Sequence, residues 1–371
     1  MNQVRIAILI QVLNSFVGGI LGVALPLMMQ ERNIDIATIG FIFAAMPIIF
    51  QLGRMFFATI SDFWGRKPFF VLNGFLNVVS NSIYYLAHTP LEFLFGKVME
   101  GTKDGSLWAV NRAFLLEKSE KKWRTLVHLR TTAYISLAVG SLIAGFLIVW
   151  FLYEGTMVLC VLIGAFAIPL SLLLASKRTR KLNMTEALHF LDLRKKKTIF
   201  KNCLILFFVM GLSFGFVSGF VFPLFLSENG FDTEAVGVFY GLQILLAGLF
   251  SYFFAGRFNI RKLILLSGVL HTVTLVLLGL SSSAFAGILV VAYGVIDGLL
   301  SICQEGILAR ITNKESYGID IGLQMMGLHG GRTVSLAMTG LLIEIFGFAI
   351  PFLISALIFM FFYITSYFIL K

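Results

Sequence analysis

Gly18-Gly19-Ile20-Leu21-Gly22-Val23-Ala24-Leu25-Pro26 returns 197 residues later as Gly215-Phe216-Val217-Ser218-Gly219-Phe220-Val221-Phe222-Pro223, with the two outer glycines and the proline in step. The same shift carries Gly40 onto Gly237 and Val98-Met99-Glu100-Gly101 onto Val295-Ile296-Asp297-Gly298. A repeat this long in an apolar chain predicts two parallel half-bundles of membrane helices.

The chain is 58% hydrophobic and 13% charged, too apolar for a water-soluble domain to hide its surface. Runs of about twenty apolar residues recur twelve times, near 5–29, 36–60, 69–87, 91–115, 126–151, 156–176, 202–226, 235–256, 263–281, 285–309, 317–345 and 348–370. The expected fold is all-α, with twelve transmembrane helices in two pseudo-symmetric six-helix bundles. The bundles are 1–176 and 202–371, joined by a basic cytoplasmic linker, 177–201. The first run is too long for a signal-peptide core and no small-residue cleavage site follows it, so it reads as a retained helix. Cys160, Cys203 and Cys303 sit inside spans and lack metal-ligand spacing, which makes them packing residues.

The net charge of +10 has a topological reading. With the N-terminus inside, the inward loops and ends hold 22 of the 29 Lys and Arg, the outward loops hold Arg32 alone, and six lie within spans. That bias places both termini in the cytoplasm and argues against nucleic-acid binding. Nine of the inward cations fall between Lys177 and Lys201, where Met184, Leu188 and Leu191 recur near helical spacing. This segment reads either as an amphipathic helix on the inner leaflet or as a charged tether. Asn183-Met184-Thr185 matches a glycosylation acceptor but lies on the wrong side. The Gly18/Gly22 and Gly215/Gly219 pairs predict close approach of the first helix of each half to a neighbour. Pro26 and Pro223 predict tolerated kinks toward the outer ends.

After the second span comes Ala58-Thr59-Ile60-Ser61-Asp62-Phe63-Trp64-Gly65-Arg66-Lys67-Pro68. It resembles the signature loop of the major facilitator superfamily, G-x-L-[AS]-D-[RK]-x-G-[RK]-[RK], departing at Ala58 and Phe63. The second-half counterpart, Gly256 to Lys262, is shortened and lacks the Asp. Gly65 permits the tight turn, and Arg66 and Lys67 are expected in the inner headgroup zone. The resemblance implies a conformational latch between Asp62 and a cation, for which Arg112 is the best-placed candidate. The bland alternative is a topogenic turn with a surface ion pair of roughly 0–1 kcal/mol.

Span four carries Lys97, Glu100, Lys103, Asp104, Trp108, Asn111 and Arg112. Lys97 to Gly105 resembles the family's R-x-x-Q-G-x-G pattern, with Lys97 for Arg, Glu100 for Gln and Lys103 where a small residue is usual. At about 100° per residue, Lys97, Glu100, Asp104, Trp108 and Asn111 share one face, with Lys103 beside it. Charges at mid-bilayer cost roughly 2.5–3.5 kcal/mol each. These four therefore face a wet pathway or neutralise one another locally, and the sequence leaves both open. At the repeat offset Asp297 of span ten matches Glu100, and Ser301, Gln304 and Glu305 lie on the side of Asp297. Glu100, beside two lysines, is expected to stay ionised; Asp297 is the expected proton carrier. Asn73, Asn77, Ser80, Asn81 and Tyr84 stripe span three, His271 reads as a core histidine, Arg332 as a contact for an anion or an acid, and Glu344 as interfacial.

No phosphate-binding Gly-Lys-Ser loop and no metal-spaced cluster is present, so neither an enzyme, a metal site nor a cofactor is expected. The resemblance instead implies a secondary transporter of the cytoplasmic membrane, monomeric by family default. It would move a small organic or drug-like solute by alternating access among membrane lipids. Because the signature loop is common in exporters, the lean is to efflux by proton exchange, with import or export left open. The rival reading is a non-transporting sensor or scaffold derived from such a protein, with span four as a locked charge cluster.

Overall fold

The computed structural model describes residues 3–118, 122–175, 196–254, 257, 259–281, 283–311 and 317–369. Twelve helices follow in order: α1 Gln3–Glu31, α2 Ile36–Trp64, α3 Lys67–Leu86, α4 Pro90–Lys118, α5 Lys122–Leu172, α6 Thr198–Gly215, α7 Val221–Glu228, α8 Thr233–Phe254, α9 Ile260–Leu280, α10 Ser283–Ile311, α11 Tyr317–Phe346 and α12 Ala349–Ile369. Nine of them, among the described residues, are long and apolar enough to cross a membrane. The count differs from twelve spans for identifiable reasons. Spans five and six run together as α5, with a turn at Leu152 (φ 59°). Charged α4 and glycine-rich α11 are not among the nine, whereas span seven, though broken into α6 and α7, still counts once through α6. Apolar side chains such as Leu52, Phe56, Trp150, Leu280 and Phe361 are left exposed, as hydrocarbon surroundings require. The chain is an integral membrane protein.

Helix α6 begins at Thr198, inside the segment 177–201 expected as linker. The stretch around Met184–Leu191, expected as a helix or a tether, lies outside the described residues.

Residues cluster into two compact units. Unit 1 is Met1–Ile34, Ala45–Leu182 and Phe231–Leu245; unit 2 is Asp35–Ala44, Asn183–Gly230 and Leu246–Lys371. Each unit thus incorporates the start of a helix from the other half of the sequence. Within unit 2, a Cβ on Gly40 would meet Gly340 Cα and the Leu336 carbonyl at 2.9 Å. Within unit 1, a Cβ on Gly237 would meet Gly145 N and the Ser141 carbonyl at 2.9 Å. Both crossings are backbone on backbone, and only glycine fits them. The helices entering them are capped alike: Asp35 Oδ1 accepts from Thr38 N at 2.7 Å, and Asp232 Oδ1 from Ala235 N at 2.8 Å.

The first helix of each half behaves differently from expectation. In α1 the close approach is made by Gly19, whose Cβ would strike the Leu137 carbonyl and lie 2.8 Å from Ser141 N, whereas Gly18 has ordinary space. Ser141 Oγ donates to the Gly19 carbonyl at 3.0 Å. Gly215 does pack tightly, against Arg332 O and Ser335, but Gly219 serves the backbone, at φ +70° in the break between α6 and α7. Pro26 sits inside an unbroken α1, and Pro223 opens α7 after that break.

The repeat also changes register along the chain. Helix α8 starts 197 residues after α2, but α9 and α10 start 193 residues after α3 and α4. The difference arises before α9, because α8 has 22 residues where α2 has 29. Packing agrees: a Cβ on Gly105 would meet Phe50 O, Gly53 C and Arg54 N, and one on Gly298 would meet Ala247 O, Phe250 Cβ and Ser251 N. Those two contact sets are related by 197 while the glycines are related by 193. The structural counterpart of Asp297 is therefore Asp104, not Glu100.

Candidate functional site

Helix α4 begins with a capping box: Glu92 Oε2 accepts from His88 N at 2.7 Å and Thr89 N at 2.8 Å. Lys118 closes the helix in its last turn, where a cation suits the macrodipole. Between these ends the four intramembrane charges resolve into two pairs. Lys97 Nζ lies 2.8 Å from Glu100 Oε2, and Tyr84 of α3 donates its hydroxyl to the same oxygen at 2.6 Å. Lys97 and Glu100 are 3% and 4% exposed, so this triplet is interior to unit 1. Gly96 makes room for it, since any Cβ there would collide with the Tyr84 ring.

The second pair is looser. Lys103 is fully buried, and its Nζ is 3.4 Å from Asp104 Oδ1 without donating a hydrogen bond to any acceptor among the described residues. Asp104 retains partial exposure and accepts from Asn14 Nδ2 of α1 at 3.1 Å. Asn73 Nδ2 of α3 donates to Asn14 Oδ1 at 3.2 Å and to the Lys103 carbonyl at 3.0 Å. Two turns on along α4, Asn111 Nδ2 donates to Gln11 Oε1 at 3.1 Å, and Gln11 Nε2 to Ser15 Oγ at 3.0 Å.

Magnitudes say what these pairs do. Four charges at mid-bilayer cost about 10–14 kcal/mol on insertion scales. Two close pairs return about 8 kcal/mol at an effective dielectric of 20. Hydrogen bonds to the two carboxylates, from Tyr84 and Asn14, return about 3–6 kcal/mol more. The charges nearly cancel, so the pairs are tolerated without adding stability. Local neutralisation, one of the two readings the sequence left open, describes Lys97 and Glu100.

In unit 2, Asp297 is half-buried at the midpoint of α10. Tyr293, one turn away, shares His271 with Tyr363: the His271 ring nitrogens lie 3.1 Å from each hydroxyl. His271 is buried and stacked on Phe359 at 3.9 Å, as a satisfied core histidine should be. Gln304 reaches Met325 Sδ at 3.6 Å, and Glu305 is exposed. Arg332 of α11 donates from Nε to Ser218 Oγ at 3.1 Å and lies 5.0 Å from the Phe214 ring. It therefore bridges the break in span seven. Glu344 Oε2 accepts from Ala37 N at 2.9 Å, at the start of α2.

The signature loop turns at Gly65 (φ +83°), as its sequence predicts. Arg66, expected among headgroups, is instead 7% exposed. It pairs with Asp62, contacts Ser61 Oγ, and donates to Glu117 Oε1 from Nε at 3.2 Å and Nη2 at 2.9 Å. Lys67 starts α3 beside it, half-buried. Arg112, the expected partner of Asp62, has its guanidinium 3.9 Å from the Trp108 ring centroid.

Four contributors escaped sequence reasoning. Glu117 and Asn14 carry no local signal, because what they meet is set by neighbouring helices. Tyr84 was visible only as part of a polar stripe. Arg54 was visible as a cation inside span two, which was signal enough. It is 6% exposed, with its guanidinium 4.9 Å from the Trp108 centroid and 5.8 Å from Phe50.

A duplicated helical membrane fold with paired charges in its interior is the build of a solute carrier. The sequence matches the family model described as Major Facilitator Superfamily over residues 7–304, and the chain belongs to that superfamily. Its fold is shared with a mutant form of the nucleoside transporter NupG (TM-score 0.83, 13% identity, 100% of both chains). The human organic anion transporter MFSD10 is also similar (TM-score 0.70, 13% identity, 100% of this chain and 99% of that one). No curated protein sequence matches. The chain is a membrane transporter and not an enzyme.

Proposed function

We propose that this transporter moves a small organic solute by alternating access, exchanging it for protons through Asp297 and Asp104. One observation carries the reading: a carboxylate stands at the midpoint of both α4 and α10, in the same packing register and partly exposed in each. Glu100 is set aside because Lys97 and Tyr84 already occupy the same oxygen. Asp104 is better suited to proton traffic, its neighbour Lys103 standing 3.4 Å off and its amide partner Asn14 being neutral. Asp62, Arg66 and Glu117 form the latch at the end of α2, with Gly65 as its turn. The bias of Lys and Arg supports both termini on the cytoplasmic side; the monomeric state and the direction of export rest on the resemblance to the family alone.

The test is purified protein in liposomes with an internal pH dye, challenged with pooled metabolites and drugs. Solute-triggered proton movement is expected in the wild type and absent in Asp297→Asn. Solute uptake without proton movement, or an undiminished signal in Asp297→Asn, would remove the coupling and leave a facilitator.

A further inference from the structure

The interior cations of α2 and α4 do not balance. Lys97 is met by Glu100 and Lys103 by Asp104, but Arg54 has no carboxylate: among the described residues its guanidinium meets only the rings of Phe50 and Trp108. Guanidinium groups carry five N–H donors in a planar fork, and stacking on a ring face leaves the edge of that fork free to donate. Among the described residues none of those donors is engaged. A second guanidinium, that of Arg112, lies over the same indole at 3.9 Å, close enough for its charge to act on Arg54. Two like charges held over one ring, one of them lacking a counter-charge, favour an anion between or beside them.

We propose that Arg54, with Arg112 and Trp108, forms an anion-binding site, and that the transported solute is an organic anion bearing a carboxylate or phosphate. Arg54 supplies a bidentate edge, and the Trp108 ring, 4.9 Å from one guanidinium and 3.9 Å from the other, holds both in position. Depth argues for a solute over a lipid. Arg54 is four residues past the midpoint of α2, about 6 Å along the axis, whereas headgroup phosphates begin about 15 Å out. The site itself stands without the transport reading; only calling its anion the solute rests on that reading.

Binding is measured on the purified full-length protein as a rise in thermal unfolding midpoint. The probes are benzoate, inorganic phosphate, uridine as an uncharged control, and phosphatidylglycerol as an anionic lipid. Benzoate or phosphate is expected to stabilise the wild type, with apparent affinity about tenfold or more weaker in Arg54→Gln. Arg54→Lys, which keeps charge without the fork, is expected to fall between. Equal stabilisation of wild type and Arg54→Gln, no response to either anion, or a response to phosphatidylglycerol alone would each overturn the site. If Arg54→Gln does not fold, Arg54→Lys decides: weakened anion binding supports the site and undiminished binding overturns it. Because no transport is measured, a failed liposome assay and a failed anion site remain distinguishable.

Discussion

Helices α4 and α10 are one helix used twice, equal in length and packed through Gly105 and Gly298 on corresponding stretches of α2 and α8. They share an aspartate at their midpoint and little other chemistry. Helix α4 adds Lys97, Glu100, Lys103 and Arg112, with Trp108 between; α10 has Tyr293, Ser301, Gln304 and Glu305 at those levels or near them. Duplication preserved the packing while charge diverged. The packing glycine is fixed by backbone contact, whereas a charge survives wherever a partner on a neighbouring helix can answer it.

The largest expected effect separates charge that holds the fold from charge that works in it. Glu100→Gln strands Lys97 in the interior and should lower unfolding free energy by about 3–5 kcal/mol. The double variant with Lys97→Met should recover most of that loss. Asp297→Asn should change stability by less than about 1 kcal/mol while abolishing proton-coupled transport. Comparable destabilisation by both single variants, in detergent unfolding experiments, would erase the distinction.

Gly105→Ala and Gly298→Ala sharpen the register. Each puts a methyl about 2.8–3.0 Å from backbone atoms of the facing helix, and each should cost about 1–3 kcal/mol, within 1 kcal/mol of the other. A mild Gly298→Ala beside a severe Gly105→Ala would argue against the 193-residue correspondence. Tyr84→Phe removes a hydrogen bond to a carboxylate and should cost about 1.5–3 kcal/mol, with no equivalent loss at Leu277→Ala beyond ordinary packing.

The smallest effect is at the caps. Asp35→Ala and Asp232→Ala should each cost about 1 kcal/mol, measured as lowered unfolding midpoints. The Thr38 backbone N–H holds the Asp35 carboxyl below its usual 3.8. That depressed value means the cap contributes fully above the unfolded carboxylate range and fades as pH falls through the lowered one. The Asp35→Ala penalty should therefore shrink toward zero in strong acid; a penalty independent of pH would mean the carboxylate charge is not what caps α2.

Sequence alone reached the duplication, the helical membrane class, the charged helix and the acids on it, since these rest on period, composition and spacing. It aligned Glu100 with Asp297 because Val98-Met99-Glu100-Gly101 happens to match Val295-Ile296-Asp297-Gly298, and the four residues by which the stretch from α8 to α9 falls short of that from α2 to α3 were invisible inside that match. Arg66 was read as a headgroup cation because its partner Glu117 lies 51 residues away. The Arg54–Trp108 contact is likewise tertiary: nothing in either segment names the other.

The exchanged helix starts have a consequence for how the protein is made. Unit 1 includes Phe231–Leu245, and Gly145 and the Ser141 carbonyl of α5 are ready to receive Gly237 well before it exists. The first six spans leave the ribosome with an open seam, which stays open while roughly seventy further residues are synthesised, several seconds at ordinary rates of translation. A chain halted after residue 176 should be more readily cut by protease than one halted after residue 254, although the added helix belongs, by sequence, to the other half.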